Sequence, residues 1–93
     1  MLIQQRKILV KGRVQGVFFR ASTQKKAKQY VIKGTVKNTA TGDVEIIALG
    51  EQQGMQQFIQ WCHKGPLSAK VTEVIVETFD GSVEYTEFTI IKY

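Results

Sequence analysis

The chain is expected to adopt an α+β fold, with two helices on one face of an antiparallel sheet and a further strand at the C-terminus. Three observations predict it. Apolar residues alternate over 6–13 and again over 43–49, the period of a strand. Met55, Phe58, Ile59 and Cys62 recur at i, i+3, i+4 and i+7, the period of a helix. Clusters of turn residues, Thr39-Ala40-Thr41-Gly42 and Asp80-Gly81-Ser82, separate the strand-like runs.

The elements follow in order. Over 6–13, Ile8, Val10 and Gly12 share one face and Leu9 lies on the other. Residues 21–32 place Thr23, Ala27, Tyr30 and Val31 at helical spacing, with Lys25, Lys26 and Lys28 off that stripe. Gly34 closes the helical region and begins a short strand running to Asn38. Its hairpin partner is 43–49, with Val44, Ile46 and Ala48 set against Glu45, Ile47 and Leu49. Residues 50–54 form a loop and a helix start. Gly65-Pro66 stops the second helix, because glycine suits a C-terminal cap and proline cannot continue the ladder. Residues 71–79, rich in β-branched side chains, read as a fourth strand in which Val74 and Ile75 both call for burial. Residues 85–91 read as the last strand. The order β-α-β-β-α-β plus a C-terminal strand is the ferredoxin-like, split β-α-β pattern. That pattern hosts many unrelated functions.

The 93 residues make one domain, 1–93. Cys62 is the only cysteine, so no internal disulfide can form, and a free thiol suits a reducing compartment such as the cytoplasm. The N-terminal residues lack the apolar core and cleavage site of a secretion signal, and no apolar run is long enough to span a membrane. A monomer is the default. The net charge of +5 suits nucleic acid, an anionic surface or a small anionic substrate. The basic residues are scattered and form no stripe, which argues against nucleic acid as the partner.

The stretch Gly12-Arg13-Val14-Gln15-Gly16-Val17-Phe18-Phe19-Arg20 carries the most chemistry. It joins a predicted strand to a predicted helix. Amides at a helix N-terminus have no partner within the helix, and the dipole there favours negative charge. A loop of amides forms the same kind of concavity, and Arg20 adds a planar donor fork suited to phosphate. The stretch lacks the Lys-Ser/Thr ending of a P-loop and the Gly-x-Gly-x-x-Gly of a dinucleotide site. Spacing alone is equally compatible with a strand-to-helix turn bearing a surface arginine.

The same string resembles the first signature of the acylphosphatase family. Gly34-Thr35-Val36-Lys37-Asn38 with Gly42-Asp43-Val44-Glu45 resembles its second. Gly50, Trp61, Gly65-Pro66, Ala69, Val71 and Phe88-x-Ile90 agree as well, so the resemblance spans nearly the whole chain. Ser22 stands where members often carry an aromatic residue, and the ending Phe88 to Tyr93 is one residue longer than the usual tail. The resemblance implies a small enzyme that hydrolyses carboxyl-phosphate anhydrides without metal or cofactor. By position, Arg20 matches the phosphate-binding arginine and Asn38 the water-positioning asparagine. The substrate would be a small-molecule acyl phosphate, held by Arg20 and the amides of Gln15, Gly16, Val17, Phe18 and Phe19. Phosphate- or sulfate-type anions would occupy the same cradle.

The residues alone leave alternatives. Asn38 reads equally as a strand-end turn residue. One of Phe18 and Phe19 is expected in the core and the other at the border of the site. Cys62 and His63, adjacent on a helix, point to different faces and make a poor dyad. No Cys/His cluster has metal-ligand spacing. Two other readings share the topology: a phosphate-binding or regulatory module with little turnover, and an RNA-binding module. The latter stacks bases on aromatics of the central strands, and Val44–Leu49 contains none.

Overall fold

A computed structural model describes residues 3–78 and 85–92. The elements are β1 (Ile3–Arg13), α1 (Phe19–Gln29), β2 (Lys33–Asn38), β3 (Val44–Glu51), α2 (Gln52–Lys64), β4 (Lys70–Thr78) and β5 (Phe88–Ile91). The five strands form one sheet in the order β4-β1-β3-β2-β5.

The pairings of β1 with β3, β1 with β4 and β2 with β3 are antiparallel, as the sequence predicts. The last strand differs: β5 lies parallel to β2, with Gly34 opposite Phe88 and Lys37 opposite Ile91, so the sheet is mixed. Direction follows from the path. β4 carries the chain away from the end of the sheet where β1 finishes, and β5 returns along the opposite edge in the sense of β2. β5 is also shorter than the 85–91 expected: it begins at Phe88, opposite Gly34, and before it only the Glu87 carbonyl bonds to β2, accepting from the Gly34 N–H at 3.1 Å.

One face of the sheet is dry. Ile8 and Val10 of β1, Val36 of β2, and Val44, Ile46 and Ala48 of β3 are buried under Phe19, Thr23 and Ala27 of α1 and Met55, Phe58 and Cys62 of α2. Fully burying such a side chain contributes about 1.5–3 kcal/mol. Aromatic rings tie the layers together: Phe58 meets Phe88 of β5 edge-on at 6.0 Å, and Phe19 of α1 tilts against Trp61 of α2 at 5.5 Å. In β4 the register against β1 shifts between Lys11 and Gly12, which pair with Glu73 and Val71. The extra residue resets the alternation, so Val71 and Val74 both pack against the core while Ile75 sits opposite Leu9. Phe79 and the expected turn at Asp80-Gly81-Ser82 lie outside the described residues.

Both helix ends differ from the sequence expectation for physical reasons. α1 begins at Phe19, two residues early, because its N-cap is Phe18 in the left-handed conformation with no side-chain cap to advertise it. It ends at Gln29 because Val31, expected on the buried stripe, adopts φ 58° and is 75 % exposed. A glycine or asparagine normally takes that place after a helix. Strand β3 also runs on through Gly50 and Glu51, which the sequence assigned to a loop, because β1 extends to Ile3 and pairs with them. A left-handed β-branched residue costs about 1–3 kcal/mol. Val31→Asn, which keeps the backbone and removes the strain, is expected to stabilise the protein by about 1 kcal/mol. In a domain of this size that raises the thermal midpoint by about 4–8 °C, and differential scanning calorimetry would read it.

Candidate active site

The segment between β1 and α1 is short and held at both ends. Val14 and Phe19 are buried, and the four residues between them arch over the surface. Gly16 adopts φ 74°, the left-handed turn that a side chain would resist. Of the two phenylalanines, Phe19 enters the core and Phe18 stands 82 % exposed beside the loop. The Ser68 hydroxyl donates to the Val17 carbonyl at 3.2 Å and steadies the arch from the α2–β4 side. Among the described residues, the backbone N–H groups of Gln15 to Phe19 reach no protein acceptor. α1 has no acidic residue in its first turn and no side-chain cap, so the chain itself does not offset the positive end of the helix.

Arg20 lies in that first turn, half-buried. Its Nη1 donates to the carbonyl of Ile91 at 3.1 Å, which anchors the guanidinium to the end of β5. Ile91 is the register partner of Lys37, the residue before Asn38. On the other side of Asn38, the Thr39 carbonyl accepts from Gln15 Nε2 at 2.9 Å. Asn38 is therefore bracketed. The residue before it is in register with the anchor of Arg20, and the residue after it is bonded to the loop. Arg20, Asn38 and Gln15 to Phe19 all gather at the end of the sheet where β1 and β2 finish. The Asn38 side-chain oxygen is buried and has no hydrogen-bond partner among the described residues. A buried acceptor left unmet costs about 1–3 kcal/mol, so the site favours a donor such as water.

The β2–β3 turn supplies residues that the sequence reading named only as turn and signature positions, without a role. Asp43 is buried, at 8 % exposure, and its carboxylate accepts from Lys11 Nζ at 3.0 Å and Thr41 Oγ1 at 3.3 Å. Its N–H donates to Thr39 Oγ1 at 3.1 Å, and its carbonyl accepts from the Thr39 N–H at 2.9 Å. The available signal was an aspartate just after a turn glycine, a type that bonds its own turn. Cys62 is fully buried and His63 exposed, so the pair diverges as the helical spacing predicts. Burial pushes the Cys62 thiol far up, which keeps it protonated and inert. Ser22 is half-buried on α1, and Tyr93 lies outside the described residues. A cleft of about 930 Å³, lined by Gln5, Tyr30, Val31 and Leu49 among others, opens at the opposite end of the sheet. It shares no residue with the Gln15–Arg20 loop, and anion binding needs only the amides and guanidinium gathered there.

The family model for acylphosphatases matches residues 6–90. The chain belongs to the acylphosphatase family. It is 42 % identical over 88 residues to an acylphosphatase of Marinobacter nauticus, covering 95 % of this chain and 96 % of that one. Among solved structures, it superposes on an acylphosphatase from Coxiella burnetii with a TM-score of 0.90 at 37 % identity, covering 96 % of this chain and 93 % of that one. The crystal structure of acylphosphatase from Bacillus subtilis gives the same TM-score at 36 % identity, with 97 % and 99 % covered. The resemblance read from the two signatures therefore stands, together with the fold class and the reading of the chain as an enzyme. Among the described residues, no helix is long and apolar enough to cross a membrane.

Proposed function

We propose that this chain hydrolyses the carboxyl-phosphate bond of small acyl phosphates, giving a carboxylate and inorganic phosphate. One observation carries the reading. Unengaged amides end in an arginine whose anchor is in register with the residue before Asn38, so an anion site and a water site adjoin. The phosphoryl group docks on the amides of Gln15 to Phe19 and on the N–H groups of Arg20 that Ile91 leaves free. Asn38 holds a water in line with the bond to be broken. The water oxygen bonds to phosphorus, the bond from phosphorus to the acyl oxygen breaks, and the electron pair leaves on the carboxylate. The water protons pass to the phosphate product and the solvent.

The chemistry suits these residues. An amide side chain both donates and accepts but removes no proton. None need be removed in advance, because phosphoryl transfer through a loose transition state mainly requires positioning and charge stabilisation. The leaving carboxylate has a conjugate acid of pKa about 4 and departs without an acid catalyst. No nucleophile lies in the loop, so the reading includes no phosphoenzyme, and it assigns no step to a metal. The same reading places the chain in the cytoplasm as a monomer that binds no nucleic acid.

Hydrolysis of a chromogenic aroyl phosphate in the presence of EDTA tests it. Prompt turnover is expected, with inorganic phosphate as a competitive inhibitor. Asn38→Ala is expected to lose about 10²-fold in kcat with little change in KM, since the asparagine positions water and leaves the phosphoryl contacts alone. A folded wild-type chain that turns over no acyl phosphate would return the site to a phosphate-binding module.

A further inference from the structure

We propose that the side chain of Gln15 is a positioning residue that sets where Asn38 stands relative to the phosphate loop. The proposal rests on the hydrolytic reading above and assigns the Gln15 side chain a part separate from its backbone amide. Both hydrogens of Nε2 are committed, one to the Thr39 carbonyl at 2.9 Å and one to the Asp43 carbonyl at 2.8 Å. Neither is left for a ligand.

The two acceptors have a particular place. Thr39 follows Asn38, and Asp43 precedes Val44, the register partner of Asn38. Gln15 therefore clasps the first residue of the turn on both of its strands. One side chain spans the gap between a loop that holds the phosphoryl group and the strand end that holds the water. Nothing else fixes Asn38 from its side chain, because its buried oxygen has no partner among the described residues. The orientation of the Asn38 amide is inherited from its backbone, and the backbone is held by the turn. Lys11 and Thr41 on the Asp43 carboxylate keep the second acceptor in place. Misplacement of a reacting group by about 1 Å can cost about 10²-fold in rate, so a two-bond clasp is enough to matter.

The test is Gln15→Met, which keeps the length and removes both donors. The kcat for an aroyl phosphate is expected to fall about 10- to 100-fold, while the inhibition constant of inorganic phosphate moves less than about threefold, because the amides and Arg20 remain. The double variant Gln15→Met/Asn38→Ala is expected to be no slower than Asn38→Ala alone, because a residue acting through Asn38 has nothing to position once it is gone. Additive losses, or phosphate affinity falling in step with kcat, would overturn the proposal and return Gln15 to a direct contact with substrate or to general stability. Should Gln15→Met fail to fold, the wild-type protein still decides. Both Nε2 protons should exchange slowly with solvent and show magnetisation transfer to the turn residues by NMR, and fast exchange of either would overturn the clasp. A wild-type enzyme with no turnover but with slow Nε2 exchange would sink the hydrolytic reading, and the catalytic part of this proposal with it, while leaving the clasp itself.

Discussion

Arg20→Ala is expected to lower kcat/KM for an acyl phosphate by about 10³-fold or more, with little change in stability. Loss of one preorganised donor to a developing oxyanion costs about 10²- to 10³-fold, and Arg20 would supply more than one while carrying the charge. Arg20→Lys is expected to recover only a small part. The guanidinium bonds the Ile91 carbonyl through Nη1 and still offers other N–H groups in a fixed plane. A lysine ammonium is a compact point charge that cannot hold both partners in that geometry. Stability should respond differently. A cation in the first turn of a helix opposes the dipole by about 0.3–1 kcal/mol, and its removal roughly offsets the loss of the bond to Ile91. Steady-state kinetics, the phosphate inhibition constant and a thermal melt on the same preparation check the combination. An Arg20→Ala protein that keeps a tenth of the activity, or that loses it only by unfolding, would remove the arginine from the mechanism.

The parts of this molecule that a sequence reader can see are those where local chemistry and tertiary environment agree. The alternation over Val44, Ile46 and Ala48 is buried as read, since β3 is an inner strand with one covered face. Of the stripe Met55, Phe58, Ile59 and Cys62, all but Ile59 are fully buried against that covered face, and Ile59 packs at its border. The segment of Gly12 to Arg20 was legible as a strand-to-helix connection, and it does join β1 to α1. What escaped reading was set by contacts distant in sequence or by strain. The end of α1 was missed because the left-handed position is filled by Val31, with no glycine to mark it. The direction of β5 was missed because it depends on which edge the chain returns to. The bonds from Gln15 to Thr39 and Asp43, and from Arg20 to Ile91, span 24, 28 and 71 residues of sequence. No local pattern encodes them, although they hold the two halves of the site together.

Gly34→Ala is expected to be the most damaging single-methyl change in the described part of the chain. The sequence reads Gly34 as the point where the helical region ends and a strand begins, and it lies near the start of β2, buried between two neighbours. Ala48 of β3 faces it on one side and Phe88 of β5 on the other, and its N–H donates to the Glu87 carbonyl at 3.1 Å. Its φ is 140°, a conformation that residues with a Cβ rarely adopt. An added Cβ would fall 1.8 Å from the carbonyl oxygen of Ile47 and 2.7 Å from its carbon. Those atoms are backbone of the inner strand β3, so no side chain can swing aside to relieve the clash. Overpacking of this kind costs about 1–3 kcal/mol and backbone strain about as much again, which gives a loss of about 3–5 kcal/mol. Against a total stability of about 5–15 kcal/mol for small domains, the variant would sit close to its unfolding threshold. The thermal midpoint should fall by about 15 °C or more, read by circular dichroism. Inorganic phosphate at saturating concentration should recover part of the difference, because a ligand that binds only the folded state stabilises it. β2 also ends in Asn38, so repacking that relieves the clash would displace that residue. Surviving folded molecules should then lose kcat before they lose phosphate affinity. A melt within about 0.5 kcal/mol of wild type would show that β2 and β3 can part at this point without cost, and that the placement of Asn38 depends less on this strand pairing than on the clasp at the turn.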